Sequence, residues 1–297
     1  MIRVECVCEG ICHLGECPVW DPVRQKLFWT DIYRKQVWAH DPALSSSSVF
    51  WQGSYQVGGL AVTRQGSLVL CTDKGVYLLE LGVDGIPKQE PLLLCSLPFS
   101  GGEMFNDITT DSEGRILAGT LERKHFTGSL YRLERGKPPA KMLEGIRCSN
   151  GMTFSMDESW FFHTESLTHR ITKYRYDRAT GEIGSPTVYY QGSSREGLPD
   201  GITIDVEDHL WVAFWGASCV RRLDPEGRPC EQIPIPARQP SSVMFGGPRL
   251  DEIYVTSAAE GAVDLATGHD RTGAFLGGPL YRFSAGVKGR PEWPAAF

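Results

Sequence analysis

An internal repeat is the feature that most constrains the fold of this chain. Six segments share one pattern, in which a short apolar strand, a polar turn and a second strand rich in aromatic and β-branched residues follow one another. The first strands of these segments are anchored by the apolar residues Val19, Leu60, Ile108, Met152, Ile202 and Val243. The anchors are 41, 48, 44, 50 and 41 residues apart, and a repeat of that length is typical of one blade of a β-propeller.

The repeat predicts an all-β fold, a six-bladed β-propeller with four strands and about 41–50 residues in each blade. No amphipathic pattern of about 12 residues or more favours helices. Residues 3–8 precede the first repeat, and we expect them to form a strand that closes the last blade. We expect residues 1–297 to form a single domain, since no linker near the middle separates two β-sandwiches of about 150 residues.

Charge and hydropathy exclude several classes of partner. The chain has 30 Lys and Arg against 36 Asp and Glu, a net charge of -6, and such a balance does not suit nucleic acid or an anionic membrane. No run of about 18 apolar residues predicts a membrane span, and the first residues lack the apolar core of a secretion signal. We therefore expect a cytoplasmic monomer or small homo-oligomer with no nucleic-acid and no membrane partner.

The two asparagines of the chain occupy one position of the repeat. Asn106 and Asn150 each lie two residues before the apolar anchor of their segment. Because every blade of a propeller places its first strand against the central channel, equivalent positions form a ring around the axis. The ring residues, taken in chain order, are Cys17, Gly58, Asn106, Asn150, Asp200 and Ser241. The placement of both asparagines on this ring indicates selection for oxygen ligands.

Three residues at or beside the ring are candidate metal ligands. Glu16, Asn150 and Asp200 supply two carboxylates and one carboxamide, which are hard oxygen donors. Such a set suits Ca²⁺, Mg²⁺ or Mn²⁺, and Zn²⁺ or Fe²⁺ also accept carboxylate and water ligands. Each residue taken alone has a structural interpretation, since Asn150–Gly151 and Asp200–Gly201 are also common turn sequences.

Motifs spread along the whole chain carry a further signal. Five of them, in order, are Gly15-Glu-Cys-Pro-Val-Trp-Asp, Phe105-Asn-Asp, Ser149-Asn-Gly-Met, Pro199-Asp-Gly-Ile-Thr-Ile-Asp and Gly278-Pro-Leu-Tyr-Arg-Phe. Together they resemble the motifs of the regucalcin/gluconolactonase family, also called the senescence marker protein family. The resemblance implies a six-bladed propeller with one divalent metal at the channel mouth, held by Glu16, Asn150 and Asp200. It also implies that Asn106 lies near the metal and the substrate.

Two regions depart from the pattern of that family. Met104 stands where its sugar lactonases have an arginine, two residues before Asn106. Near the position of the family's acidic substrate contact, this chain has Arg123 and Lys124. We expect Asn106, Arg123 and Lys124 to bind substrate, with a specificity that differs from that of the characterised enzymes.

These observations predict a metal-dependent hydrolase that opens a small sugar-derived lactone, as a gluconolactonase does. One divalent cation (Ca, Zn, Mn, Mg or Fe) would polarise the lactone carbonyl, and Asp200 would take a proton from the attacking water. Two alternatives stay open at this point. A similar metal site could hydrolyse organophosphate triesters, or the chain could bind calcium without being an enzyme, an interpretation that Met104 and Lys124 favour.

Overall fold

The computed structural model describes residues 2–97, 99 and 102–297, and its strands form six four-stranded antiparallel sheets. The predicted six-bladed β-propeller is therefore confirmed. The first strands, which surround the channel, are β2 (Gly15–Asp21), β6 (Val57–Val62), β10 (Glu103–Thr110), β14 (Ser149–Phe154), β18 (Leu198–Ile204) and β22 (Pro240–Gly246). The second strands are β3 (Lys26–Asp31), β7 (Leu68–Thr72), β11 (Ile116–Glu122), β15 (Trp160–Glu165), β19 (Leu210–Trp215) and β23 (Glu252–Ser257).

The outer half of each blade follows the same order. The third strands are β4 (Gln36–Asp41), β8 (Val76–Leu79), β12 (Gly128–Leu133), β16 (Arg170–Asp177), β20 (Cys219–Leu223) and β24 (Leu280–Ser284). The fourth strands are β5 (Ser46–Gln52), β9 (Leu92–Cys95), β13 (Ala140–Ile146), β17 (Glu182–Gln191), β21 (Pro229–Pro234) and, for the last blade, β1 (Glu5–Cys8). One 3-10 turn, Ser166–Thr168, follows β15. Among the described residues, no helix has the length and hydropathy of a membrane span.

The N-terminal strand closes the ring, as the sequence predicts. Strand β1 pairs antiparallel with β24, and Glu5 lies opposite Arg282 in this pairing. The last blade therefore combines one strand from the start of the chain with three from its end. Separating the first blade from the last thus requires breaking a ladder of hydrogen bonds.

Burial decreases from the channel outward within each blade. Every residue of β2 and of β11 is buried, whereas most residues of the outer strands β5 and β17 are exposed or half-buried. Because blades pack face to face, the inner strands are covered on both faces and consist largely of apolar and β-branched residues. The apolar core is consequently divided into layers between neighbouring blades, such as the cluster that joins Phe162 and Ile171 to Ile202 and Leu210.

Each first strand contains one break in its pairing register, and all six breaks fall on the ring predicted from the repeat. The interrupted pairs enclose Cys17, Gly58, Asn106, Asn150, Asp200 and Ser241. A β-bulge of this kind leaves a residue out of the ladder and changes the direction of its side chain, and bulges are common beside active sites. The bulges thus release six ring residues from regular pairing.

The ring residues also hold neighbouring blades together. The Leu60 N–H donates to Cys17 Sγ at 3.4 Å, Asn106 Nδ2 donates to the Ser149 carbonyl at 2.8 Å, and Ser241 Oγ donates to the Gly15 carbonyl. At Gly58 the strands approach so closely that an added Cβ would overlap the carbonyl of Phe105 in the next blade. The narrow channel therefore depends on small residues and side-chain hydrogen bonds at this level.

The C-terminal tail crosses the end of the channel that is remote from the bulges. The Arg290 N–H donates to the Ile204 carbonyl at 3.2 Å in one blade, and the Ala295 N–H donates to the Val62 carbonyl at 2.8 Å in another. Between ring and tail lies a cavity of about 560 Å³, whose lining includes Asp107, Thr109, Ile202, Val243, Glu292 and Trp293.

We predict that Gly58→Ala lowers the free energy of unfolding by about 2 kcal/mol or more, because the new methyl group meets rigid backbone of the next blade. Gly184→Ala, in the outer strand β17, is the matched control, since nothing lies within 4 Å of its added Cβ. We expect that control to change stability by about 0.5 kcal/mol at most. Urea unfolding measures both, and equal effects of the two substitutions would contradict the tight ring.

Candidate metal centre and active site

The three candidate ligands lie on the first strands of three different blades. Glu16 belongs to β2, Asn150 to β14 and Asp200 to β18. Their exposed fractions are 7%, 6% and 4%, so all three side chains are buried. Asn150–Gly151 and Asp200–Gly201 lie inside strands and not at hairpin turns, and the turn interpretation of these two dipeptides is therefore wrong.

Two oxygen atoms of this group are buried without a hydrogen-bond partner. They are Asn150 Oδ1 and Asp200 Oδ1. The amide of Asn150 is oriented by its other end, since Asn150 Nδ2 donates to Ser166 Oγ at 3.1 Å. Leaving a buried polar atom unpaired costs about 1–3 kcal/mol, and buried oxygens of this kind in native proteins commonly bind water or an ion. Hard oxygen donors left free in this way fit a divalent cation.

The electrostatics of the site also fit a cation. Burial raises the pKa of the Glu16 carboxyl well above its usual range, and the negative charges of Asp200 and Asp107 raise it further. Burial likewise raises the pKa of Asp200, with added repulsion from Asp107 and Glu260. Buried carboxylates that repel one another are costly unless a positive charge compensates them. A divalent cation held by these residues would provide that compensation.

Carboxylates at the other end of the first strands differ from the candidate ligands. Asp21 and Asp111 are fully buried, but their oxygens accept hydrogen bonds from the backbone and from Arg24 and Arg115, respectively. Asp205 follows β18 and accepts from Trp211 Nε1 at 3.0 Å. These aspartates stabilise hairpin turns. Buried carboxylates alone therefore do not distinguish the candidate site. Buried side-chain oxygens without a hydrogen-bond partner do.

A second cluster with metal-ligating side chains has a structural explanation. Asp205, Glu207 and His209 lie close enough to share an ion. However, the Arg222 guanidinium donates to Asp205 Oδ2 at 2.8 Å and to Glu207 Oε2 at 2.7 Å. Because a cation already occupies these oxygens, the cluster is an ion-pair network at the blade edge.

The three predicted substrate-binding residues lie in three different environments. Asn106 is buried at the ring, and its Nδ2 donates to the Ser149 carbonyl, which leaves Oδ1 as an acceptor. Arg123 is half-buried on the turn after β11, and its charge opposes the burial-driven rise in the pKa of Glu16. Lys124 is exposed, and within the described residues its side chain makes no hydrogen bond or ion pair with the candidate ligands.

Several residues near the site were not singled out from the sequence. Asp107 follows Asn106 directly, and burial with the nearby Glu292 charge raises the pKa of Asp107 to about 7. Ser166 fixes the Asn150 amide, and Glu260 acts on Asp200 from the loop after β23. The repeat alone indicates that Asp107 lies next to the ring, because it follows Asn106. Ser166 and Glu260 lie outside the repeated first strands, so the repeat does not indicate them.

An apolar cluster contains Met104, the residue that departs from the family pattern. Met104 packs with Leu14, Ile32 and Ala258, and the side chains of Tyr33 and Trp215 pack against them, so four blades contribute to one patch. Leu14, Ile32, Met104 and Ala258 are at most 4% exposed, so Met104 is packed inside this cluster at the position where the family pattern has an arginine.

We predict that Asp107→Asn stabilises the metal-free protein increasingly as the pH rises from about 4 to about 8. Between the pKa of an unfolded aspartate, about 3.9, and about 7, the folded state keeps a proton that the unfolded chain releases, so the free energy of unfolding falls with rising pH. Asp107→Asn should therefore raise the free energy of unfolding by about 2–4 kcal/mol at about pH 8 and leave it almost unchanged at about pH 4.

Urea unfolding in the presence of a chelator measures this effect. Asp84→Asn is the control, because Asp84 is exposed and also accepts a backbone hydrogen bond, from Ile86. A stability gain at Asp107 that does not change with pH would contradict a buried, repelled carboxyl.

We predict that Ser166→Ala weakens divalent-cation binding about tenfold, because the Asn150 amide loses the partner that orients it. Calorimetric titration with Ca²⁺ and Mn²⁺ measures the affinity. Ser129→Ala, at another buried serine, should leave it unchanged. Equal affinities of the Ser166 variant and the wild type would remove Asn150 from the ligand set.

Comparison with known proteins adds an independent line of evidence. Residues 14–259 match the family model described as SMP-30/Gluconolactonase/LRE-like region. The chain is 32% identical over 290 residues to pentonolactonase XacC of Haloferax volcanii, and this match covers 97% of the chain and 96% of the relative. It is 34% identical over 310 residues to regucalcin of Gallus gallus, with 99% of each protein covered.

Solved structures agree with the sequence comparison. The chain is similar to a protein of Agrobacterium tumefaciens described as the calcium-binding protein regucalcin, with a TM-score of 0.90 and 26% identity. The match covers 100% of this chain and 98% of that one. The similarity thus extends over the whole propeller.

Proposed function

This chain belongs to the SMP-30/gluconolactonase/LRE-like family, and on that basis we propose that it is a divalent-metal-dependent hydrolase that opens sugar-derived lactones. Relatives named for lactonase activity support the reaction class. The observation that carries the proposal is the pair of unpartnered buried oxygens, Asn150 Oδ1 and Asp200 Oδ1, on the ring of this family member.

Glu16, Asn150 and Asp200 would hold one divalent cation. When bound, such a cation supplies Lewis-acid polarisation of the lactone carbonyl. The protein contributes a fixed set of oxygens from three blades, and their orientation is preset by the bulges and by the Ser166 contact. Because the ligands are preorganised in a buried site, little reorganisation is needed during the reaction.

Asp200 is the proposed general base. A carboxylate has two oxygens, so Asp200 can serve as a ligand through one of them and accept a proton from the attacking water through the other. Water attack in this way opens the ring without a covalent enzyme intermediate.

Substrate positioning is assigned to Asn106, Arg123 and Lys124. Asn106 presents Oδ1 at the ring and would orient the lactone or the attacking water. Arg123 is near enough to Glu16 to affect its pKa and would contact the substrate directly. Lys124 is exposed and would act as a more remote positive charge at the entrance. The lactone is therefore the expected partner of this end of the channel.

A second candidate function is calcium binding without catalysis. It is favoured by the name of the Agrobacterium relative, which describes a calcium-binding protein. This function requires the same ligands but no general base. Turnover is consequently the property that separates the two proposals.

We predict that Asp200→Asn lowers lactone turnover about 100-fold or more, because the carboxamide cannot accept the proton. A panel of aldonolactones with added Ca²⁺, Mn²⁺, Mg²⁺ or Zn²⁺ provides the assay, with phosphotriesters as a parallel set. Glu207→Gln, in the second acidic cluster, is the control and should keep full activity. Calcium binding with no turnover by any metal would replace the lactonase proposal, and phosphotriester turnover alone would change the substrate class.

A further inference from the structure

The cavity of about 560 Å³ between the ring and the C-terminal tail has a wall built by the repeat itself. All six residues that anchor the repeat line it, namely Val19, Leu60, Ile108, Met152, Ile202 and Val243. Trp293 of the tail adds an aromatic side chain to this lining. The candidate metal ligands Glu16, Asn150 and Asp200 do not line it. We call this space, which is thus distinct from the candidate metal centre, the channel cavity.

The channel cavity reaches the surface beside the first and second blades. Val23, on the turn after β2, and Val83, after β8, line it and are exposed. Of the two arginines in the lining, Arg64 is exposed, and Arg24 Nη1 lies 2.7 Å from Asp21 Oδ2, which compensates its charge. A cavity of this volume holds a small organic molecule, and its edge offers apolar contacts without a free buried positive charge.

Acidic and hydroxyl side chains interrupt the apolar wall. Asp107 and Thr109 lie on β10, line the cavity and are 6% and 5% exposed, and Glu292 lines it from the tail. Glu292 Oε1 lies 3.5 Å from Arg290 Nη2. Asp107 accepts only a hydrogen bond from the N–H of the next residue, at 2.7 Å, and forms no ion pair within the part of the chain that the structure describes. The cavity therefore contains a buried carboxylate without a positive partner.

The hydroxyl group of Thr109 is a second buried group that lacks a partner. Its Oγ1 is buried and makes no hydrogen bond. Because an unpaired buried polar atom destabilises the fold, such atoms in native proteins commonly bind water or a ligand. Thr109 and Asp107 are two residues apart on the same strand, so both acceptors belong to one part of the cavity.

The lining selects one class of ligand. Asp107 and Glu292 repel an anion, and a neutral apolar molecule leaves the Asp107 carboxylate uncompensated. A bare divalent cation needs six or more oxygen ligands and leaves the apolar volume empty. A primary ammonium group has three hydrogen-bond donors and no acceptor, which matches the three acceptors that Asp107, Thr109 and Glu292 provide. An apolar group attached to it would contact the six anchors.

We propose that the channel cavity binds an organic cation, a primary ammonium group on a small apolar or aromatic body, whose ammonium is received by Asp107, Thr109 and Glu292. The apolar body lies against the repeat anchors and extends toward Val23 and Val83. Since the candidate metal ligands do not line this cavity, the inference does not rest on the proposed lactonase function.

The test is calorimetric titration with 4-phenylbutylamine, 4-phenyl-1-butanol and 4-phenylbutyrate, which share one apolar group and differ in the charge of the other end. We expect the wild type to bind the amine at least about tenfold more tightly than the alcohol, as for a hydrogen bond to a charged group, and not to bind the carboxylate. Thr109→Val and Glu292→Gln should each weaken binding of the amine about tenfold and change binding of the alcohol by less than about threefold.

Two control variants locate the effect. Thr164→Val is the matched control, because Thr164 Oγ1 is also buried without a partner but Thr164 does not line the cavity. Glu16→Gln, at the candidate metal centre, should also leave binding of the amine unchanged. Urea unfolding of each variant shows that it is folded.

Four outcomes would overturn the inference. They are unchanged binding of the amine in both the Thr109 and the Glu292 variants, loss of that binding in the Glu16 variant, equal wild-type affinities for amine and alcohol, and failure of all three molecules to bind. The second outcome would assign the amine to the candidate metal centre, and the last would assign the cavity to water.

Discussion

The close approach of the six first strands around the channel is the constraint on which the rest of the structure depends. Where the strands converge, each ladder is interrupted, and a small residue or a side-chain hydrogen bond fills the gap to the next blade. Gly58 makes contact possible by having no side chain, and Ser241 makes it favourable by bonding the Gly15 carbonyl. The convergence of the blades thus accounts both for the contacts that close the ring and for the ring positions that lie outside regular strand pairing.

At the candidate site, ring residues have side-chain atoms that the neighbouring blades do not contact through hydrogen bonds. At Gly58 and Ser241 the ring is satisfied internally, whereas Asn150 and Asp200 each direct an oxygen to no protein partner. Glu16 adds a carboxylate whose protonation burial favours. The packed strands of the surrounding blades keep these side chains largely away from solvent, which destabilises their charged forms. A cation bound by these oxygens would remove that destabilisation, and folding and cation binding would then be thermodynamically linked.

The repeat was sufficient to predict the fold, the closing strand and the ring, because hydrophobic alternation and spacing are local properties of the sequence. It also predicted that Asn150 and Asp200 lie on the ring, where the register breaks occur, whereas their role as metal ligands stays a prediction. Glu260 could not be found in this way, because its position depends on a loop outside the repeat that returns to the channel. Arg123 is half-buried and Lys124 is exposed, although they are adjacent in the chain. This difference depends on the path of the turn after β11, which the spacing of the repeats does not predict.

The tail across the remote end of the channel has a consequence for biosynthesis. Residues 289–297 bond to blades that form early in the chain as well as late, and β1 has no partner until β24 exists. Individual blades can therefore acquire local hairpins as they leave the ribosome, but the ring cannot become a closed, cooperative unit until β24 and residues 289–297 are available. Until then, the first blade exposes an apolar face that its neighbour will cover. Closure of the ring therefore depends on β24 and on the segment that follows it.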